Sequence, residues 1–219
     1  MPYEKRLQDF WDKLPENEKK EIKQESEALK AEYASLRKTI FLSGSRSLSR
    51  LNEAIKQRLH NMIDNGFRII IGDASGADKA FQSYFLEKGY KDVSVYHSGA
   101  VCRHNLGTWA TRSIAASNNL KGRDFYTVKD KAMAHDASYG FVLWDGQSVG
   151  SMNNVFEMVK QQKPVVMYLS PIQSFIDIRT VSEAEMLLEK SKSGDIQAMS
   201  DMSSVITAQQ MTFSFDMVS

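Results

Sequence analysis

The chain has 219 residues, of which 42% are apolar and 25% are charged, and its formal net charge is +1. This length suits one α/β domain with extensions and is short for two full domains. The near-neutral charge provides no global field that would attract an anionic membrane or nucleic acid, so neither is expected as a partner.

Cysteine content and hydropathy limit the cellular compartments in which the protein is expected. Cys102 is the single cysteine, which excludes an internal disulfide and a cysteine-rich zinc site. No stretch approaches the roughly 20 apolar residues that span a bilayer, and the first 38 residues are dense in Lys and Glu and lack the apolar core of a signal peptide. These features predict a cytoplasmic protein.

The first 38 residues differ in composition from the rest. Their apolar side chains recur at roughly helical spacing among Lys and Glu, at Phe10, Trp11, Leu14, Ile22, Leu29, Tyr33 and Leu36. Pro15 is expected to divide the segment into two helices, as a first-turn residue of the second. We predict a helical N-terminal extension over 1–38 that packs on the main domain or on a second subunit.

Strands and helices alternate from residue 39 onward. The predicted strands are 39–43, 67–71, 93–96, 139–143 and 165–168. The predicted helices are 48–65, 76–88, 106–117, 128–138 and one from 151 or 152 to about 162. Such alternation predicts right-handed crossovers and a Rossmann-like three-layer α/β fold with a mostly parallel sheet over 39–171.

The remaining residues, 172–219, are predicted to form a C-terminal helix and a tail. The helix is expected over 182–192, with Ser182 as N-cap and Glu185 at the capping-box position. After Gly194 the tail is rich in Met, Ser and Gln, and it ends in an alternating stretch at 212–216. That alternation is compatible with an edge strand, an oligomer contact or a frayed end.

Three turns rich in small residues follow predicted strands, and in a parallel sheet such turns meet at the carboxyl edge, where ligands bind. The first turn is SGSRS at 43–47. Gly44 allows close backbone approach or a positive φ, Ser45 offers a hydroxyl, and Arg46 offers a planar fork suited to phosphate. The same residues are equally compatible with an ordinary βα turn that carries a solvated arginine.

The second turn is GDASGAD at 72–78. Gly72 ends the strand, and Gly76 and Ala77 open the next helix without bulk, so that the helix N-terminus can face a ligand. Asp73 is a candidate for binding a ribose hydroxyl, whereas an acid at Asp78 is favoured by the helix dipole regardless of function. The turn lacks a P-loop lysine and GxGxxG spacing, which argues against ATP hydrolysis and hydride transfer.

The third turn is WDGQSVGS at 144–151, and it combines a strand end, small residues and a helix N-terminus, an arrangement that suits an anion. Asp145 stands where a carboxylate accepts from sugar hydroxyls or acts as a base. Trp144 either stacks a base or plugs the end of the sheet, and the plug is slightly favoured. The other ligand-binding candidates of this region are Gly146, Ser148, Gly150, Ser151 and Asn154.

A further segment, 97–109, follows the third predicted strand and lies near the same edge. Arg103 is a candidate ligand for phosphate or carboxylate, and Asn105 follows it. His97 and His104 have no carboxylate at a recognised metal-binding spacing, so no metal and no cofactor are predicted. The stretch 98–131 is basic, through Arg112, Lys121 and Arg123. It forms either a solvated face or a wall for an anionic ligand.

Together the three turns resemble the SLOG superfamily. The motifs are G-S-R after the first strand, G-x-A-x-G-A-D after the second and W-D-G-x-S-x-G-S after the fourth. This Rossmann-like group contains the Lonely Guy phosphoribohydrolases, DprA and the YspA/YpsA-like proteins, and the motifs over 39–170 are closest to the YspA-like branch. The resemblance implies a pocket for a nucleotide or a nucleotide-derived ligand such as ADP-ribose, and a homo-oligomer.

One departure from the Lonely Guy pattern bears on chemistry. The essential glutamate of P-G-G-x-G-T-x-x-E falls on Asn154, and the upstream arginine falls on Lys129. An amide cannot act as a nucleophile or as a carboxylate that stabilises an oxocarbenium ion. Glu157, one helical turn further on, is expected to face away or to pack. Asp145 and Asp78 remain the catalytic candidates.

Three functions follow from these observations. The first is a sensor or sequestering module that binds a nucleotide-derived ligand such as ADP-ribose or a nucleoside monophosphate, and it accounts for the three turns together with the missing glutamate. The second is an enzyme that cleaves or transfers at the N-glycosidic bond of a nucleotide. The third is an oligomeric interaction protein. A role with single-stranded DNA, by analogy with DprA, is weaker because the balanced charge gives no electrostatic footprint.

Overall fold

The structure is a computed structural model that describes residues 3–116, 119–194 and 200–201. Its contacts divide the chain into two units, Met1–Arg37 and Lys38–Ser219. The first unit contains α1 (Tyr3–Lys13) and α2 (Glu16–Leu36). Pro15 lies between them as the N-cap residue of α2, one position before the first turn in which the sequence placed it.

The second unit contains the α/β elements. Its strands are β1 (Thr39–Gly44), β2 (Arg68–Gly72), β3 (Val93–Ser98), β4 (Ala110–Ile114), β5 (Tyr139–Trp144), β6 (Val165–Leu169) and β7 (Ser174–Ile178). Its helices are α3 (Glu53–Asp64), α4 (Ala77–Glu87), α5 (Gly122–Asp136), α6 (Val149–Lys160) and α7 (Val181–Ser193). Within the described residues, no helix is long and apolar enough to cross a bilayer.

The strands form one sheet in the order β4-β3-β2-β1-β5-β6-β7. Every neighbouring pair is parallel except β6 and β7, which are antiparallel. The predicted Rossmann-like α/β fold with a mostly parallel sheet is therefore confirmed. The strand order reverses beside β1, whose two neighbours are β2 and β5, and in this fold the reversal creates a crevice at the carboxyl ends of the strands.

Helices cover both faces of the sheet because successive strand residues point to opposite faces. In β1, Ile40 and Leu42 pack into the cluster that includes buried residues of α3 and α4, whereas Phe41 packs into the cluster that includes buried residues of α5, α6 and α7. All three side chains are at most 3% exposed. Burial on both faces explains why β1 reads as a nearly continuous apolar run.

The helix predicted over 106–117 is wrong within the described residues. Thr108 has a φ of 51°, and the chain then extends as β4, which pairs in parallel with β3. The side chain of Asn105 spans this turn by donating to the carbonyl of Trp109 at 2.7 Å and accepting from its N–H at 3.1 Å. Ser117 lies outside the described residues.

Other element boundaries moved for local reasons. The sequence started the helix before β5 at residue 128, but α5 begins at Gly122, after Lys121, which makes no side-chain cap. Its N-terminus therefore lacks the Ser, Thr, Asp or Asn signal that marks a helix start. The strand β7 carries no prediction from the sequence, and it joins the sheet by pairing with β6.

The division into 1–38, 39–171 and 172–219 stays a prediction, although β7 and the start of α7 continue the main sheet and its helical cover beyond residue 171. The alternating stretch at 212–216 lies outside the described residues.

The capping box of α7 is built by residues other than those the sequence suggested. Thr180 is the N-cap, and its hydroxyl accepts from the N–H of Glu183 at 3.2 Å. Glu183 in turn accepts from the N–H of Thr180 at 2.9 Å. The predicted pair, Ser182 and Glu185, is displaced by two residues.

We expect Thr180→Ala to lower the free energy of unfolding by about 1 kcal/mol, because it removes an N-cap acceptor. Ser182→Ala, at the position chosen from sequence alone, should change it by less than about 0.5 kcal/mol. Urea unfolding followed by circular dichroism measures both variants. A larger loss for the Ser182 variant would contradict the observed cap.

Candidate functional site

A pocket lies at the carboxyl edge of the sheet, where β1 and β5 are neighbours. Its volume is about 780 Å³, within the range of small-molecule sites. Side chains and backbone from all three predicted turns line it: Gly44, Arg46, Gly72, Asp78, Asp145, Ser148, Gly150, Ser151 and Asn154. Arg103 and one face of α5 complete the lining. The fold thus brings most of the sequence-predicted site residues to one place.

The first and second turns are packed directly against each other. A Cβ on Gly44 would lie 2.7 Å from the Cβ of Ala77 and 2.7 Å from the carbonyl oxygen of Leu143. A Cβ on Gly76 would lie 2.3 Å from the carbonyl oxygen of Arg46, and Gly76 has a φ of +77°. Packing between the turns therefore explains why both positions are glycine, and no ligand is needed to explain them.

Hydroxyl groups join the first and third turns. Ser45 is 1% exposed, and its Oγ lies 3.2 Å from the Oγ of Ser151 and accepts from the N–H of Asp145 at 3.2 Å. Ser151 donates to the Oγ of Ser148 at 3.3 Å. Ser45 does not line the pocket but fixes the residues that do.

The carboxylate of Asp145 is committed to its own turn. One oxygen accepts from the backbone N–H groups of Gln147 at 3.0 Å and Ser148 at 2.8 Å, and the other accepts from the hydroxyl of Ser47 at 2.6 Å. Burial raises the pKa of Asp145, but these hydrogen bonds outweigh it and hold the pKa below its ordinary value. A lowered pKa makes Asp145 a weak general base.

Asp73 is also committed, to Arg103. Its oxygens accept from Arg103 Nε at 2.9 Å and Nη2 at 2.5 Å, and Asp73 is 1% exposed. Burial raises the pKa of Asp73, and the bonds from Arg103 more than offset this and lower it. Asp73 does not line the pocket, so the ribose contact considered for it has no support in the geometry. It holds Arg103, whose guanidinium lies 4.3 Å from the ring centre of Tyr126.

A buried charge cluster lies beside Gly72. Lys129 is 4% exposed and donates to Asp130 at 2.5 Å, and Asp78, which is 5% exposed, accepts from the N–H of Ala74 at 3.1 Å. Burial raises the pKa of Asp78 to about 6, against the opposing effect of Lys129. Burial lowers the pKa of Lys129, but the Asp130 and Asp78 carboxylates outweigh it and raise the pKa.

The N-terminus of α6 forms the opposite part of the pocket. Its N-cap, Ser148, makes no side-chain cap, and the first turn contains no acidic residue, so the free N–H groups keep their positive partial charge. A Cβ on Gly150 would lie 3.6 Å from Nη2 of Arg123. The Arg46 guanidinium lies 5.9 Å from the ring centre of Tyr126. Neither arginine has a carboxylate partner among the described residues.

Two polar side chains line the pocket while buried and unpaired. Ser43 is 5% exposed, and its Oγ has no hydrogen-bond partner within the described part of the chain. Asn154 is 7% exposed, and its amide likewise forms no side-chain hydrogen bond there. Because buried polar groups are ordinarily paired, both side chains have capacity for a ligand.

Seven predicted residues lie outside the pocket lining: Ser45, Asp73, Gly76, Ala77, Asn105, Trp144 and Gly146. Trp144 is fully buried and donates from Nε1 to the carbonyl of Ser148 at 3.1 Å, so it presents no ring face to a ligand. Gly146 has a φ of +83°, and its carbonyl accepts from the hydroxyl of Ser191 on α7. Asn105 is engaged with Trp109, as described above.

Sequence reasoning missed the face of α5. Tyr126, Thr127, Lys129 and Asp130 line the pocket beside Arg123, and positions 123, 126, 127 and 130 have the i, i+3, i+4, i+7 spacing of one helix face. Sequence alone relates Lys129 only to the arginine position of the Lonely Guy pattern, and Arg123 only to the basic stretch 98–131. The spacing of these residues was readable, but it needs the helix to begin at Gly122.

Solved structures of other proteins resemble this chain. One of them is DNA processing protein A from Helicobacter pylori, whose structure was described for its unique single-stranded DNA binding mode. The two chains are 16% identical, the match covers 70% of this chain and 73% of that chain, and the TM-score is 0.48. This degree of similarity assigns no ligand to this chain. No protein-family model and no curated protein matches the sequence.

The prediction that nucleic acid is an unlikely partner is nevertheless corrected, because charge is unevenly distributed over the chain. That prediction was based on net charge, which averages over the whole chain. The pocket gathers Arg46, Arg103, Arg123 and Lys129 at one edge of the sheet, together with the carboxylates of Asp78, Asp130 and Asp145. Arg103 and Lys129 form ion pairs with aspartates, whereas Arg46 and Arg123 form none among the described residues. A local cluster of this kind is invisible in a formal charge of +1.

The raised pKa of Asp78 predicts a specific pH dependence of stability. Between about pH 4 and 6 the folded state retains a proton on Asp78 that the unfolded chain, with a pKa of 3.8, releases. This group's contribution to stability therefore falls as pH rises through that window. Asp78→Asn removes the effect, so we expect the stability of the variant relative to the wild type to rise by on the order of 2–3 kcal/mol from pH 4 to pH 7. Urea unfolding at several pH values tests this, and a pH-independent difference would contradict it.

Gly72→Ala should damage the charge cluster. The new Cβ would lie 2.3 Å from Oδ2 of Asp78 and 2.8 Å from Nζ of Lys129, so we expect a loss of about 1–3 kcal/mol of stability. Gly150→Ala is the matched control, because its Cβ meets only Arg123 at an ordinary distance. Thermal and urea unfolding compare the two variants, and equal losses would refute the steric argument.

Proposed function

We propose that the pocket binds a phosphorylated, nucleotide-derived small molecule, such as a nucleoside monophosphate or an ADP-ribose-like ligand, and that the protein acts as a sensor or sequestering module of the SLOG type. The observation that carries the proposal is the uncapped N-terminus of α6 beside Arg123 at one end of a pocket of about 780 Å³.

The anion-binding part of the proposal depends on unneutralised positive charge. Helix N–H groups and arginine forks are the groups that bind phosphate in proteins. Arg103 is neutralised by Asp73, whereas Arg46 and Arg123 have no such partner among the described residues. We therefore assign the phosphate to Arg123, Arg46 and the first turn of α6.

The remaining lining suits the rest of a nucleotide. Tyr126 supplies an aromatic ring in the pocket. The unpaired hydroxyl of Ser43 and the amide of Asn154, which forms no side-chain hydrogen bond within the described residues, supply donors and acceptors. An amide at Asn154 and the committed carboxylate of Asp145 favour binding over catalysis, because neither offers a nucleophile or an effective base.

An N-glycosidic-bond hydrolase or transferase is the second candidate, and one observation favours it. Asp78 is a buried carboxyl group in the pocket with a pKa raised to about 6, which is the property of general acids and bases that work near neutral pH. On this alternative Asp78, and not Asp145, carries the proton. The homo-oligomeric state and the cytoplasmic location stay predictions from the sequence.

Binding measurements with arginine variants test the proposal. We expect AMP or ADP-ribose to bind the wild type, and Arg123→Ala to weaken binding roughly tenfold or more, since it removes a charge-assisted hydrogen bond. Arg46→Ala should weaken the binding of phosphorylated ligands more than the binding of adenosine. Arg68→Ala is the matched control, because Arg68 starts β2 at the opposite edge of the sheet.

Isothermal titration gives the affinities, and chromatography of the same mixtures detects base release. Release that is abolished by Asp78→Asn would favour the enzyme over the binder. A short single-stranded oligodeoxynucleotide completes the panel. A higher affinity for it than for AMP would indicate that the phosphate site binds a nucleic-acid strand. Absence of binding by every phosphorylated ligand would refute the proposal.

A further inference from the structure

Lys129, Asp78 and Asp130 form a charged cluster in the pocket that the proposed phosphate site does not use. All three side chains line the pocket, and Lys129 and Asp78 are at most 5% exposed. Arg123 and Lys129 are six residues apart on α5, which corresponds to about 9 Å along the helix axis. The pocket therefore has a cationic end and, within reach of the same small ligand, a mixed-charge end.

The cluster has unused hydrogen-bonding capacity. An ammonium has three donors and a carboxylate has about four acceptor sites. Lys129 donates to one oxygen of Asp130, and one oxygen of Asp78 accepts from the N–H of Ala74. These three side chains form no other hydrogen bond within the described residues. Lys129 and Asp78 are buried, so their spare capacity calls for a partner, whereas Asp130 is partly exposed.

The arrangement of charges restricts that partner. Two carboxylates flanking one ammonium repel a phosphate, so the anion of a ligand belongs at the Arg123 end. A hydroxyl group both accepts and donates. Each hydroxyl of a vicinal diol can therefore accept from Lys129 while donating to Asp78 or Asp130. Gly72 makes this end accessible, because a Cβ there would occupy the space beside Asp78 and Lys129.

We propose that Lys129, Asp78 and Asp130 recognise the cis-diol of a ribose, so that the pocket selects ribonucleotide-derived ligands over their deoxyribose counterparts. This inference rests on the proposed function and specifies its substrate class. It also separates a free ribonucleotide from a DNA strand, whose sugars lack the diol. The phosphate end then fixes one end of the ligand and the diol end fixes the other.

Titration with AMP, 2′-deoxy-AMP, 3′-deoxy-AMP and inorganic phosphate tests the inference. In the wild type we expect AMP to bind roughly tenfold or more tightly than either deoxy analogue, because each analogue loses a hydrogen bond to a charged group. Asp130→Asn should reduce this ratio to about threefold or less while leaving the affinity for inorganic phosphate unchanged. Asp78→Asn should act in the same way.

The control is Asp124→Asn, because Asp124 is an exposed carboxylate on α5 outside the pocket lining. It should keep the wild-type ratio. Phosphate binding with equal affinities for AMP and its deoxy analogues would overturn this inference and leave the proposed function standing. A ratio that survives both Asp130→Asn and Asp78→Asn would overturn the assignment to this cluster. If neither phosphate nor AMP binds, the proposed function fails, and this inference fails with it.

Discussion

The parallel pairing of β1 with β5 is the constraint on which the site depends. Gly44 is in register with Leu143, and the N–H of Ser45 continues the ladder by donating to the Leu143 carbonyl at 2.9 Å. From β1 the chain proceeds to β2 on one side, and from β5 it proceeds to β6 on the other. The connections therefore diverge above the same edge, and the space between them is the pocket.

Close packing fixes the walls of that space. Gly44 and Gly76 allow the first two turns to touch, and the Ser45 hydroxyl joins the first turn to the third. In the second and third turns, a carboxylate that the sequence offered to a ligand instead binds the protein itself: Asp73 accepts from Arg103, and Asp145 accepts from the backbone of its own turn. The groups left for a ligand are those whose side chains form no hydrogen bond or ion pair within the described residues, namely Arg46, Arg123, Ser43 and Asn154.

Charge in the pocket is arranged by burial as much as by composition. Asp78 and Lys129 are almost completely buried and lie close enough to influence each other's pKa, whereas Arg46 and Arg123 are exposed. A net charge of +1 conceals this arrangement. A ligand with an anionic end and a hydroxyl-rich end matches the two kinds of environment, and this match links the proposed nucleotide-derived ligand to the proposed preference for ribose.

Local sequence by itself determined the strand–helix alternation, the parallel sheet and the three turns at its carboxyl edge, because apolar runs and glycine-rich turns are properties of neighbouring residues. It did not determine β4, since pairing with β3 overrides a helical pattern, or the start of α5, since Lys121 and Gly122 give no cap signal. Only the tertiary structure decided which polar groups face a ligand. Asp73 and Asp78 are five residues apart in one turn, yet Arg103, from a distant loop, pairs with the first, whereas the second is buried beside Gly72 near Lys129 from α5. The role of each carboxylate is set by residues that are remote in the chain, so the sequence of the turn alone does not reveal it.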